Sequence, residues 1–120
     1  MAEHNELGKE GEILARNFLV KNGYTILDLN YRFKHLEIDI ICEKDNLLVV
    51  VEVKTRSYDD VVKPELTVTP SKQKQIIKAA NEYIQSNEID LETRFDVIGI
   101  ILNSKKQEIN HIEDAFYPGV

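Results

Sequence analysis

An intramolecular disulfide is closed to this chain. One cysteine, Cys42, stands among 120 residues, so no intramolecular bridge can form, and a reducing, cytoplasmic setting is expected. No apolar run is long enough to read as a membrane span, and the opening MAEHNELGKEGE has no leader-like apolar stretch. No membrane partner is therefore expected. Basic residues are scarce relative to acidic ones, 15 against 21, giving a net charge of −6. That balance argues against a broad nucleic-acid-binding surface. It leaves room for a local basic patch, and it tells less if several acids gather at a metal site. There is no internal repeat, no low-complexity segment, no glycine-rich phosphate loop and no G-x-S-x-G elbow. His4, His35 and His111 have no metal-ligand spacing and no cysteine partners.

What the chain does contain is an ordinary globular balance, 42% hydrophobic and 30% charged, in a length that suits one domain spanning 1–120. Leu7, Gly11, Leu14, Ala15, Phe18 and Leu19 recur at helical spacing and predict a helix over 6–21, stopped by Asn22-Gly23. Strands are predicted over 24–33, 36–43, 47–55, 95–102 and 107–112. The fourth is apolar on both faces and is expected inside the sheet. Thr69-Pro70 reads as the N-cap and first position of a second helix, with Ile76, Ile77, Ala80, Tyr83 and Ile84 as its apolar stripe. The segment 56–68 reads as a loop. The order α-β-β-β-α-β-β points to an α/β fold with a mixed sheet flanked by helices.

The stretch IDIICEKDNLLVVVEVKTR, residues 38 to 56, breaks the pattern of a plain core hairpin. Alternation puts Asp39 with Ile41 on one face of the second strand, and Ile38, Ile40 and Cys42 on the other. On the third strand Leu48, Val50, Glu52 and Lys54 share a face. A two-residue turn at Asp45-Asn46 sets residue 39 opposite residue 52, with Cβ atoms ~5 Å apart. Opposed carboxylates repel. Either a cation compensates, or one acid is protonated, or the register differs. The cation reading has chemical sense. Two carboxylates are suitable ligands for Mg²⁺, a bound ion of this kind polarises a phosphoryl oxygen and acidifies water, and Lys54 stands ready for developing negative charge. The plain alternative is a solvated edge hairpin in which Lys54 pairs with Glu52.

Glu12 lies at the edge of the first helix's packed stripe, beside Gly8 and Gly11, which permit close backbone approach. Its plain alternative is a surface pair with Arg16 four residues on. Lys72 falls in the first turn of the second helix, where the macrodipole disfavours a cation and a phosphate would suit both the lysine and the free N–H groups. Its alternative is a lysine that snorkels. Cys42 faces away from Asp39 and reads as core. Asp96 is expected to pair with Arg94 or to cap a backbone group.

In order along the chain, GKEGE at 8–12, GYTILDLNYR at 23–32, EIDII at 37–41, LVVVEVKTR at 48–56, a lysine at 72, RFDVIGI at 94–100 and HIEDAF at 111–116 resemble the YraN family of bacterial proteins. More broadly they resemble the PD-(D/E)XK nuclease superfamily. The resemblance implies a restriction-endonuclease-like core that hydrolyses DNA with Mg²⁺, or alternatively Mn²⁺, with structure-directed substrate choice as in Holliday-junction resolvases and a possible homodimer. It implies that Asp39 and Glu52, helped by the Val53 carbonyl, hold the metal, that Glu12 reaches it directly or through water, and that Lys54 orients the attacking water. Glu37 is then an outer acid. Arg32, Lys34, Arg56, Lys63 and Lys72 are expected to contact phosphates without sequence preference. The alternative on the same fold is a non-catalytic nucleic-acid-binding or assembly protein. Two departures from the pattern stand out: Ile38 replaces the superfamily's proline, and Leu36 replaces the glycine usual before EID in YraN relatives.

Overall fold

The computed structural model describes residues 6–58 and 68–117. Seven elements follow the expected order: α1 (Glu6–Lys21), β1 (Thr25–Phe33), β2 (Leu36–Lys44), β3 (Leu47–Arg56), α2 (Pro70–Ser86), β4 (Glu92–Leu102) and β5 (Gln107–Phe116). The strands form one sheet in the order β1-β2-β3-β4-β5. β3 and β4 run parallel and every other neighbouring pair is antiparallel, so the sheet is mixed, with α2 supplying the crossover that parallel strands need.

Local chemistry explains the punctuation. α1 ends where Asn22 donates from Nδ2 to the Phe18 carbonyl at 2.7 Å and Gly23 takes φ 93°, a conformation open to glycine. The β2–β3 turn has both Asp45 and Asn46 at positive φ, 53° and 65°, the tight hairpin geometry these residue types tolerate. α2 starts on Thr69, whose hydroxyl accepts from the Lys72 amide at 3.2 Å, followed by Pro70.

The sheet carries one apolar cluster on each face. α1 places Ala15 and Leu19 against Ile40, Cys42, Val49, Val51, Ile98 and Ile100. α2 places Ile76, Ala79, Ala80 and Tyr83 against Ile38, Ile41, Leu48, Val50, Phe95 and Val97. β3 and β4 are thus covered on both sides, which accounts for their near-continuous hydrophobic runs. Gly11 lies against β3 so closely that a Cβ there would fall within 2.8 Å of the Thr55 Cβ and Cγ2 atoms. Among the described residues no helix is long and apolar enough to cross a membrane.

Three expectations need correction. β4 begins at Glu92, three residues before the expected 95, because β3 offers it a parallel partner from Leu47 onward. β5 continues past 112 to Phe116 through an irregularity in its pairing with β4 between Phe95 and Val97. Strict alternation also fails on β2: Ile38 joins Ile41 on the α2 side, while Ile40 and Cys42 face α1. The break falls at Asp39.

Candidate active site

The β2–β3 ladder runs from Lys44–Leu47 to Ile40–Val51 and stops there, although both strands continue. β2 stays paired with β1 as far as Leu36–Phe33, and β3 stays paired with β4 as far as Arg56–Ile101. The sheet therefore forks. Asp39 and Glu52 are the first residues beyond the last rung, and continuing the register sets them opposite one another, as the turn length predicts. Asp39 turns its carboxylate into the fork, where Oδ2 accepts the Val53 amide hydrogen at 2.7 Å. A side chain thus takes the donor that a backbone carbonyl would otherwise have claimed. This bond to the neighbouring strand accounts for the broken alternation at 38–40.

The electrostatics of Asp39 are unfavourable to its charge. Burial is the largest influence and Glu52 the next, and both raise its pKa. The Val53 N–H opposes them, while Glu12 and Glu37 add to the rise, and the net effect holds the carboxyl well above its ordinary value. Among the described residues no basic side chain pairs with Asp39.

Glu52 is buried at 7% exposure, a position a carboxylate seldom takes without partners. It has two. Lys54 Nζ lies 3.5 Å and Lys72 Nζ 3.7 Å from the same oxygen, Oε2. The expected pairing of Lys54 with Glu52 is present, but the hairpin is not a solvated edge, since β3 is interior. Lys72 reaches this oxygen from the first turn of α2, so the lysine that the helix dipole disfavours is held by a carboxylate from the sheet.

Glu12 approaches from the opposite side. It lines a cavity of about 240 Å³ shared with Asp39, Asn30, Lys9 and Arg16, and Oε1 accepts a hydrogen bond from Asn30 Nδ2 at 3.2 Å. The alternative pairing with Arg16 is not what holds it. Asn30, at φ 53°, carried no signal in the sequence, being 18 residues distant. Glu12 stops at the cavity wall: among the described residues no three His, Cys, Asp or Glu side chains close into a metal cage. What the fork presents is a pair of carboxylates, one of them bonded to the amide of Val53, the strand residue that follows the other. That set fits Mg²⁺, a hard ion that keeps several waters and needs only one or two carboxylates. The uncompensated charge at Asp39 is what such an ion would relieve.

The expected phosphate contacts are placed unevenly. Arg32 is exposed and sits 3.5 Å from Glu37. Lys34 occupies the β1–β2 turn at φ 58°, with its ammonium 5.3 Å from the centre of the Phe33 ring. Arg56 ends β3. Lys63 lies outside the described residues. Leu36 packs against the α2-side cluster.

A second polar cluster lies on the α1 side, away from the fork. Asp96 is fully buried. It accepts from Arg94 Nε at 2.9 Å and from its Nη2 at 2.8 Å, from the Asp114 amide at 3.0 Å, and meets His111 Nε2 at 2.8 Å. Arg94 also donates to the Tyr24 hydroxyl at 2.7 Å. Burial works against the charge of Asp96, but the bonds from His111, Arg94 and Asp114 together bring its pKa below the ordinary value. Both expected roles of Asp96, pairing with Arg94 and capping a backbone group, are present, and the His111 contact is additional. Asp114 adopts φ 56°, so Asp96 secures the irregularity that lets β5 run on. Cys42 is buried and its thiol is pushed up to about 12, chiefly by burial, as suits a core residue.

A family model described as "Uncharacterised protein family UPF0102" matches residues 11–100. A UPF0102 protein of Flavobacterium psychrophilum is 54% identical over 117 residues, covering 98% of each chain. One from Christiangramia forsetii is 49% identical over 117 residues with the same coverage. Among solved structures, Pyrococcus furiosus SfsA in complex with Ca²⁺ is 14% identical with a TM-score of 0.34, covering 89% of this chain and 62% of that one; the likeness is too loose to bear on fold or chemistry. The chain belongs to the UPF0102 family.

Proposed function

We propose that this UPF0102 protein is a metal-dependent nuclease that hydrolyses phosphodiester bonds in DNA at the fork between β2 and β3. The observation that carries the reading is Asp39. A half-buried carboxyl, without a basic partner among the described residues, is aimed into a gap in the sheet beside a second carboxylate. Such an arrangement is destabilising in an empty protein and is found where function calls for it. Asp39, Glu52 and the Val53 carbonyl would hold Mg²⁺ or Mn²⁺, with Glu12 close enough to the rim to act through water. The ion supplies Lewis-acid polarisation of a phosphoryl oxygen and a more acidic water.

The chain's own groups do the rest. The Lys54 ammonium, 3.5 Å from Glu52, orients the attacking water and meets the negative charge that develops on the phosphoryl group. Water oxygen bonds to phosphorus, one ester P–O bond breaks, and the departing oxygen leaves with a proton. Lys72 and Arg56, with Arg32 and Lys34 further along the β1–β2 hairpin, would contact successive phosphates. They offset the net charge of −6 locally and give backbone affinity without sequence readout. Substrate choice then rests on DNA shape.

The test is a cleavage panel with Mg²⁺ or Mn²⁺ against an EDTA control, over linear, flap, single-stranded and four-way DNA. Divalent-dependent cutting of at least one substrate is expected. DNA binding with no cleavage on any substrate would assign the fold to a non-catalytic nucleic-acid-binding role.

A further inference from the structure

The fork holds two lysines where water activation asks for one. Lys54 comes from β3 and Lys72 from α2, and both ammonium groups point at a single oxygen of Glu52, at 3.5 Å and 3.7 Å. Glu52 is buried, so in the absence of metal its charge needs such partners. Asp39 has none among the described residues, and the strongest charged influence on it is Glu52 itself. The site is thus divided: one carboxylate stands uncompensated, and the other is held by cations.

We infer that Lys72 is a displaceable counter-cation: it holds Glu52 in the metal-free protein, competes there with the divalent ion, and moves to a substrate phosphate when one enters the fork. The inference rests on the proposed metal site and adds a property to it. A divalent ion and a lysine ammonium cannot both take full advantage of the same Oε2. A phosphate entering beside the first turn of α2 gives Lys72 another anion and frees that oxygen. Metal and phosphodiester therefore favour each other's binding, and the coupling is reciprocal. In the absence of DNA the ion is held weakly, which restrains attack until substrate is in place.

The position of Lys72 supports this role over that of a fixed structural pair. Its side chain is 36% exposed, so it can turn outward without leaving a buried cation behind. Its backbone is anchored separately, through the Lys72 amide on Thr69, so the helix start does not depend on the ammonium. Lys54, a strand residue, is the more confined of the two.

Isothermal titration of DNA-free protein with Mn²⁺ tests the inference without relying on activity. Four proteins are compared: wild type, Lys72→Met, Lys72→Arg and Lys74→Met, the last an exposed lysine on the same helix. Thermal melts verify that each is folded. Removing the competing cation should tighten Mn²⁺ binding by roughly fivefold, the equivalent of one ~1 kcal/mol ion pair at 1.4 kcal/mol per tenfold. Lys72→Arg should stay near wild type because it keeps a cation in reach. Lys74→Met should also stay near wild type, which separates local competition from the general field. Equal or weaker Mn²⁺ binding by Lys72→Met, or an equal gain in Lys74→Met, overturns the inference while leaving the metal site intact. Failure of all four proteins to bind Mn²⁺ overturns both.

Discussion

Asp39→Asn isolates the tension in the fork, because it removes the charge while keeping an oxygen for the Val53 amide. Two effects compete. The carboxylate accepts that N–H at 2.7 Å, and hydrogen bonds to charged groups contribute about 1.5–3 kcal/mol. Against it stand burial and the charge of Glu52. The direction of the pKa decides between them: it is raised, so the folded protein disfavours the charged form more than the unfolded chain does. For a carboxyl raised in this way, the folded state binds more protons than the unfolded state between the two pKa values. Stability falls as pH climbs through that window and then stays level. As a scale, two like unit charges ~5 Å apart repel by about 0.8 kcal/mol in water and more at lower dielectric, and the fork's opening and the lysines on Glu52 keep the value toward the low end. In EDTA at pH 7.5, Asp39→Asn should therefore be more stable than wild type by about 1 kcal/mol, a rise of roughly 4 °C in Tm. The advantage should vanish near pH 3, where the wild-type carboxyl is protonated. Thermal melts by circular dichroism at both pH values read this directly. A variant that melts lower than wild type at pH 7.5 would show that the bond to Val53 outweighs the charge, making Asp39 a structural clasp for the fork.

Further outcomes follow from other contacts. Lys54→Met should keep divalent-ion binding but cut DNA about 10²–10³-fold more slowly, measured by calorimetry beside single-turnover cleavage; retained cleavage with lost stability would mark Lys54 as a mere partner of Glu52. Asp96→Asn strands Arg94 without its buried partner and should cost about 3–5 kcal/mol by denaturant unfolding. Because the Asp96 pKa is lowered from 3.8, its contribution is present above that value and fades as pH falls through the folded pKa, so the gap between variant and wild type should close in acid. Gly11→Ala drives a methyl into Thr55 and should cost about 1–3 kcal/mol; in combination with Thr55→Gly the loss should be less than the sum of the two single changes.

The parts legible in the sequence were those with local causes. Asn22-Gly23 ends α1 at the predicted residue, and Asp45-Asn46 fixes the hairpin register that brings 39 opposite 52. The parts that were not legible depend on partners distant in sequence. Nothing in ETRF announces that β4 starts at Glu92; the parallel edge of β3 imposes it. HIEDAF does not alternate as a strand should, and it continues as one because Asp96 grips the Asp114 amide across 18 residues. In the site, the ion pair of Glu52 and Lys54 was readable from spacing two apart on one face. The orientation of Asp39 was not, because strand alternation assigns a side chain to one face or the other, and this one turns to the Val53 amide at the border of the cavity it shares with Glu12. Asn30 holding Glu12 and Lys72 meeting Glu52 both required the packed helices.

The most direct measurement of the central claim is single-turnover cleavage of end-labelled DNA at saturating Mg²⁺, wild type beside Asp39→Asn, on the best substrate of the panel. Metal-dependent hydrolysis at the fork requires cleavage by the wild type that EDTA abolishes, with a loss of at least about 10²-fold in the folded variant. Equal rates in the two proteins, or cleavage that persists in EDTA, would contradict it.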